Sequence, residues 1–154
     1  VMLHRDPLKV LASVARLTEI LRRPFTRHVV RSAIGDEVSA RWTEGIERMI
    51  AAHSEYRNIL HLHFRDVVTA PMNAVAALYR HCGMTLSAAA EARMASYLRK
   101  AQRGGYAMHT HSLEAFGLDA AELNDRFRRY RDVFDVEPES RHAAPGIALL
   151  ASPT

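Results

Sequence analysis

The chain has 154 residues, 48% hydrophobic and 25% charged, which is enough for one domain with a sizeable core. Its single cysteine, Cys82, excludes a disulfide framework and a cysteine-based zinc site. No apolar run reaches the roughly 18 residues of a membrane span. We expect no signal peptide in this sequence, because its start becomes charged at Arg5. We therefore expect a cytoplasmic location.

The basic residues are almost all arginines. The formal net charge is +4, and every basic residue except Lys9 and Lys100 is Arg. Arginine binds phosphate or carboxylate with two parallel hydrogen bonds. A bias of composition and an anionic ligand or partner both explain this content.

The first predicted elements are a strand and a helix joined by a tight turn. Val1–His4 is a short apolar run that predicts a strand. Asp6 as N-cap and Pro7 at the first helical position predict a helix that continues to about Arg22. Its buried face is predicted to carry Leu8, Leu11, Ala12, Ala15 and a later Leu or Ile.

A loop, a helix and a second strand are predicted next. Pro24 ends the first helix, and residues 24–35 are predicted to be a surface loop. A helix is predicted from Asp36 to about Tyr56, followed by a strand over Asn58–Phe64 that is apolar on both faces, as in parallel sheets. One side of that helix carries Val38, Trp42, Ile46, Met49 and Ile50.

Two further helices follow the second strand. One is predicted from about Pro71 to His81, with Gly83 as its C-cap. The other begins after the N-cap Ser87 and continues to about Ala101.

The last predicted helix begins at Asp119, after a loop opened by Gly104 and Gly105. Glu122 completes a capping box with Asp119, and the helix ends near Phe134. Five helices and two strands are therefore predicted. Two strands cannot form a covered parallel sheet by themselves. Either the chain is nearly all helical, or its sheet needs strands that this sequence does not contain.

The segment from Arg5 to Ser13 carries the clearest chemical signal. Arg5 follows the first strand, at the edge where ligands bind in open α/β sheets. The helix that begins at Pro7 offers amide groups and a dipole to an anion, and Ser13 lies two turns further on. These features predict a phosphate site. The alternative is a structural Arg5 that pairs with Asp6 or solvent.

Arg5 and Ser13 resemble the 3′-phosphate-binding motif of the sulfotransferases, enzymes whose sulfuryl donor is 3′-phosphoadenosine 5′-phosphosulfate (PAPS). The two residues are eight apart across a strand-to-helix turn. The resemblance covers residues 1–139. Four more segments are similar to the family in its own order, Phe64–Pro71, Tyr79–Ser87, His109–Leu118 and Tyr130–Val136.

The resemblance implies an α/β nucleotide-binding fold of the sulfotransferase type with a parallel sheet. Residues 1–136 would be the C-terminal portion of one such domain, mostly helical within this chain, and residues 137–154 an irregular tail. The implied enzyme transfers a sulfuryl group from PAPS to a hydroxyl or amine of a small-molecule, carbohydrate or lipid acceptor. The family's sulfate-binding loop and catalytic base lie upstream, so no catalytic residue is named and this portion alone is expected to be inactive. A homodimer is left open.

The resemblance also implies the residues that bind the nucleotide. Arg5 and Ser13 would hold the 3′-phosphate, and Phe64 would line the adenine pocket where the family often has Tyr. His109 stands where the bacterial branch has His. Arg103, just before Gly104, is a further phosphate candidate, ahead of Arg93 and Arg99. His111 departs from the family, which has Tyr before Ser112.

Four alternatives remain beside this interpretation. A metal site could use His61 with His63, or His109 with His111, but a metal needs three or four converging ligands, so we expect no metal. The basic and aromatic run Arg126–Arg131 suits nucleic acid, yet its helical spacing favours a solvated basic face, so nucleic acid is not expected. A non-catalytic basic module that binds an acidic partner or nucleic acid is the main alternative, and a nucleotide kinase of similar fold is another.

Overall fold

Two short parallel strands lie within the two segments predicted to be strands, and they pair with each other. In the computed structural model, which describes residues 1–103 and 112–139, β1 is Met2–His4 and β2 is His61–His63. Met2 pairs with His61, and His4 with His63. The second strand is shorter than the predicted Asn58–Phe64, because Phe64 already begins a helix.

The described part of the chain is otherwise helical. The α-helices are α1 (Pro7–Arg22), α2 (Arg31–Glu55), α3 (Phe64–Thr69), α4 (Pro71–His81), α5 (Ala88–Arg103), α6 (Ala120–Arg126) and α7 (Arg128–Phe134). Two 3-10 helices occupy Arg23–Phe25 and Glu114–Phe116. Within residues 1–103 and 112–139, every helix is too short or too polar to cross a bilayer.

Contacts group these elements into two compact units. One contains β1, β2, α3, α4 and α5, and the other contains α1, α2, α6, α7 and both 3-10 helices. The cluster of buried apolar side chains belongs to the second unit. It consists of Leu11, Ala12, Ala15, Ile34, Val38, Ile46, Ile50, Leu113, Phe116, Leu118, Leu123, Phe127, Tyr130, Phe134 and Val136.

The limits of α1 and most of its buried face agree with the sequence, but the last position of that face does not. Asp6 caps the helix and Pro7 begins it, as predicted. The buried stripe continues to Glu19, which is 3% exposed, where a Leu or Ile was expected. The later apolar side chains lie on the opposite side of the helix and are exposed. These are Leu17, Ile20 and Leu21.

The second helix begins five residues before its predicted start. α2 begins at Arg31 rather than Asp36 and includes Gly35, so the loop predicted over residues 24–35 ends early. Helical geometry does not end at Pro24, because a 3-10 helix continues through Phe25. Ile34 is 1% exposed, and its burial in the core explains why the first turn of α2 is helical despite Gly35.

The next two predicted helices are confirmed. α4 has the predicted limits, and Gly83 ends it with a positive φ of 65°. Ser87 caps α5, because its Oγ accepts a hydrogen bond of 3.2 Å from the Ala90 N–H. The six-residue helix α3 was not predicted.

The predicted last helix is two helices. Asp119 caps α6, but the chain departs from helical geometry at Phe127, where ψ is 10°. Phe127 is 1% exposed, so the break lies within the core. Phe127, Tyr130 and Phe134 are all buried, as their spacing predicted.

Candidate functional site

The junction between β1 and α1 forms around Asp6. The Asp6 carboxylate is 4% exposed and accepts a hydrogen bond of 3.1 Å from the Leu8 N–H through Oδ1. Its Oδ2 accepts a second one, 2.9 Å from the Glu139 N–H. An Arg131 Nη2 lies 3.8 Å from Oδ1 and supplies a compensating charge. Asp6 therefore fixes both the start of α1 and residue 139.

The first amides of α1 are already hydrogen bonded, which corrects the prediction that they would face an anion. Pro7 has no N–H, and the Leu8 N–H binds Asp6 Oδ1. The N–H groups of Lys9 and Val10 donate to the Asp6 carbonyl oxygen at 3.1 and 3.3 Å. The helix can attract an external anion through its dipole, but the negative charge of Asp6 opposes that attraction.

Arg5 binds a carboxylate in a two-pronged arrangement. Its Nε donates to Glu139 Oε1 at 2.8 Å, and its Nη2 donates to Oε2 at 3.0 Å. The two side chains are 35% and 28% exposed. Arg5 thus makes an ion pair, as the structural alternative expected, but its partner is Glu139 and not Asp6. No local pattern could reveal this contact, because 134 residues separate the two side chains.

The backbone beside Arg5 is held by Tyr130. Burial raises the pKa of the Tyr130 hydroxyl, and a hydrogen bond from the Arg5 N–H partly offsets that rise. The Tyr130 hydroxyl on α7 therefore contacts the backbone of Arg5, the residue that follows β1. The sequence identified Tyr130 as a core residue and missed this contact.

Ser13 lies on α1, six residues after Pro7 and about 9 Å along the helix axis. Its side chain is exposed. Arg5 and Ser13 belong to the same compact unit. Both side chains are thus accessible to a ligand on that unit.

The other predicted nucleotide-binding residues belong to the first unit or lie outside the described residues. Phe64 is the first residue of α3 and is half-buried. Arg103 ends α5, and its side chain lies outside the described residues. Arg93 and Arg99 are exposed on the same helix. Residues 104–111, which include Gly104, Gly105, His109 and His111, also lie outside the described residues.

A buried carboxylate with three arginines lies in the second unit, and the sequence did not predict it. Glu19 accepts hydrogen bonds from Arg16 Nη1 at 2.6 Å, Arg23 Nη2 at 2.8 Å and Arg31 Nε at 3.0 Å. Burial would raise its pKa, but the hydrogen bonds from these guanidinium groups outweigh burial and lower it to about 2. This cluster ties α1 to the start of α2.

The paired histidines of the metal alternative adjoin β1. His4 is 1% exposed, and its Nε2 lies 2.8 Å from Nδ1 of His61. The ring centroids of His4 and His63 are 5.7 Å apart. Across residues 1–103 and 112–139, no group of three His, Cys, Asp or Glu side chains is arranged to hold a metal ion.

The run Arg126–Arg131 has the expected amphipathic form, with exposed arginines that also pair with acidic side chains. Arg126 donates to Glu122 at 2.5 Å and to the Ser39 Oγ at 2.7 Å. Arg128 pairs with Asp125, and Arg129 Nη1 lies 3.0 Å from Glu47.

Comparisons with known proteins agree with the resemblance drawn from the motifs. The Sulfotransferase family matches residues 1–88. A search of curated proteins gave no match. Among solved structures, the fold is similar to that of sulfotransferase STF9 from Mycobacterium avium, with a TM-score of 0.78 and 25% sequence identity. The comparisons favour neither the basic module nor the nucleotide kinase.

The region of similarity includes most of this chain but only part of the mycobacterial protein. It covers 90% of this chain and 36% of the mycobacterial sulfotransferase, so the chain spans about a third of that protein's length. The neighbour supports an α/β sulfotransferase fold of which this chain is a mostly helical part with a small parallel sheet. Because the family match covers more than half of its residues, the chain belongs to the sulfotransferase family.

Proposed function

We propose that this chain carries the 3′-phosphate part of the donor site of a sulfotransferase that uses PAPS. The observation that carries the proposal is the two-pronged grip of Arg5 on an oxyanion, with hydrogen bonds of 2.8 and 3.0 Å. A guanidinium that binds a carboxylate in this way has the shape and charge to bind a phosphate in the same way.

The surroundings of Arg5 suit a phosphate in two further respects. Arg5 is the residue between β1 and the N-cap of α1, so the helix dipole supplements its charge to the extent that the neighbouring Asp6 carboxylate does not cancel it. Ser13 extends the site along α1, where its exposed hydroxyl would donate a hydrogen bond to the same phosphate. Recognition of a 3′-phosphate would distinguish PAPS from nucleotides that lack that group.

The complete enzyme would transfer the sulfuryl group to a hydroxyl or amine acceptor. The acceptor oxygen or nitrogen attacks the sulfur, the bond between sulfur and the 5′-phosphate oxygen breaks, and a base takes the acceptor proton. The products are the sulfated acceptor and 3′-phosphoadenosine 5′-phosphate. We assign no base to this chain, whose contribution is to hold the nucleotide.

The remaining parts of the proposal come from the family resemblance for Phe64, His109 and the acceptor, and from the sequence itself for Arg103, the metal and the location. Phe64 would line the adenine pocket by stacking, Arg103 and His109 would lie near the nucleotide, and no metal would take part. The acceptor would be a small molecule, a carbohydrate or a lipid, and the enzyme would act in the cytoplasm. The proposal includes a homodimer as one form of assembly.

Nucleotide binding by the complete protein tests the proposal. 3′-Phosphoadenosine 5′-phosphate should bind saturably, and adenosine 5′-phosphate, which lacks the 3′-phosphate, should bind at least about tenfold more weakly because it loses the charge-assisted hydrogen bonds to Arg5. Equal binding of both nucleotides would contradict the proposed role of Arg5 and Ser13.

A further inference from the structure

The carboxylate of Glu139 occupies the edge of Arg5 that a phosphate would use. The contact engages both Nε and Nη2 of the guanidinium, at 2.8 and 3.0 Å. That edge provides two parallel N–H donors, and a carboxylate and a phosphate compete for it because both present two oxygens at the required spacing. The site therefore contains an internal oxyanion.

Glu139 is positioned at this site by its backbone as well as by its side chain. Its N–H donates to Asp6 Oδ2 at 2.9 Å. Asp6 is itself buried and fixed by the cap on Leu8. Residue 139 is thus anchored beside Arg5 independently of the ion pair, so the carboxylate stays close to the guanidinium even when the ion pair opens.

The pair is accessible enough to exchange with a ligand. The Arg5 side chain is 35% exposed and the Glu139 side chain 28% exposed, so both are accessible to solvent and to a ligand. A bound phosphate and a nearby ionised carboxylate repel each other, and partial burial limits the screening of that repulsion by water and salt.

We propose that Glu139 is an internal competitor of the donor nucleotide, which lowers the affinity of the site for any ligand with a 3′-phosphate. This inference rests on the proposed function. Each binding event must displace the carboxylate from Arg5, and each release of product is assisted by its return. Glu139 would thereby set how tightly the product, 3′-phosphoadenosine 5′-phosphate, is retained.

The test is isothermal titration of the complete protein and of Glu139→Gln with 3′-phosphoadenosine 5′-phosphate and with adenosine 5′-phosphate. The substitution keeps the shape of the side chain and removes its charge. We expect it to tighten binding of the 3′-phosphorylated nucleotide about three- to tenfold and to leave binding of adenosine 5′-phosphate unchanged. Asp132→Asn is the matched control, because it makes the same charge change on an exposed residue of α7.

The direction of the change separates the possible results. Unchanged or weaker binding by Glu139→Gln, with normal binding by the wild type, would overturn the competition and leave the donor site standing. Equal tightening in Asp132→Asn would show a general effect of charge and would also overturn it. Failure of the folded wild-type protein to bind the nucleotide would reject the proposed function, and this inference with it.

Discussion

Gly35 and Phe116 approach so closely that a side chain at position 35 would collide with the backbone. A Cβ added to Gly35 would lie 2.1 Å from the Phe116 carbonyl oxygen and 3.2 Å from Cγ of Leu118. Gly35 lies in α2, and Phe116 ends the second 3-10 helix. The glycine therefore allows these two elements to pack together.

Substitution of Gly35 should destabilise the protein. Gly35→Ala forces α2 away from backbone atoms that cannot move easily, and we expect a loss of about 1–3 kcal/mol in the free energy of unfolding. Denaturant unfolding followed by circular dichroism measures it. Gly45→Ala is the control, because nothing lies within 4 Å of the added Cβ in the same helix. It should raise stability by up to about 1 kcal/mol. Equal effects of the two substitutions would contradict the close approach.

The two aspartate N-caps should differ in their contribution to stability. The Asp119 side chain is exposed, and its carboxylate accepts one hydrogen bond, from the Glu122 N–H. Asp6 is buried and accepts from both the Leu8 and Glu139 N–H groups. We expect Asp119→Ala to cost about 1 kcal/mol and Asp6→Ala about 2–4 kcal/mol. Unfolding free energies measure both costs. A cost for Asp6→Ala no larger than that for Asp119→Ala would show that the buried hydrogen bonds of Asp6 contribute little.

Glu19 should give the protein a pH-dependent stability at acid pH. Its pKa falls from 4.5 to about 2 on folding, so the folded state favours the ionised carboxylate. That stabilisation is complete above pH 4.5 and is lost as the pH falls towards 2. Glu19→Gln should therefore unfold at a lower temperature than the wild type at pH 7, and the difference should shrink between pH 4.5 and 2.

The control for Glu19 is an exposed glutamate with one partner. Glu44 pairs with Arg48 at 2.5 Å, and both side chains are exposed. Glu44→Gln should change the unfolding temperature little at any pH. A gap between Glu19→Gln and the wild type that stays constant from pH 7 to pH 2 would show that ionisation of Glu19 is not the cause.

Ser13 should matter for nucleotide binding and not for folding. Its exposed side chain contributes little to packing, so Ser13→Ala should leave the unfolding temperature unchanged. Loss of one hydrogen bond to a charged phosphate should weaken binding of 3′-phosphoadenosine 5′-phosphate about three- to tenfold. Fluorescence or calorimetric titration gives the ratio. Unchanged affinity would remove Ser13 from the proposed site.

Local sequence signals predicted the elements that local interactions define. Asp6 and Pro7 set the start of α1, and Gly83 set the end of α4, because caps and turns depend on neighbouring residues. Gly35 misled the prediction, since its role depends on Phe116 more than 80 positions away. The break at Phe127 likewise depends on packing in the core, and an intact helical period hid it.

The sequence indicates the residues of the proposed site but not the contacts that they make in the structure. Arg5 and Ser13 follow from one motif, whose spacing is visible in ten residues of sequence. The partner of Arg5 was not predictable, because Glu139 lies in the segment expected to be an irregular tail. That segment lacks regular secondary structure at residue 139, yet its backbone and side chain are both bound.

The most direct test of the central claim is calorimetric titration of 3′-phosphoadenosine 5′-phosphate into the complete protein, Arg5→Ala and Arg57→Ala. Arg57 is an exposed arginine of the same unit and serves as the charge-matched control. The account predicts saturable binding by the wild type and by Arg57→Ala, and at least about tenfold weaker binding by Arg5→Ala. Equal affinity of Arg5→Ala and the wild type would contradict the assignment of Arg5 to the donor phosphate.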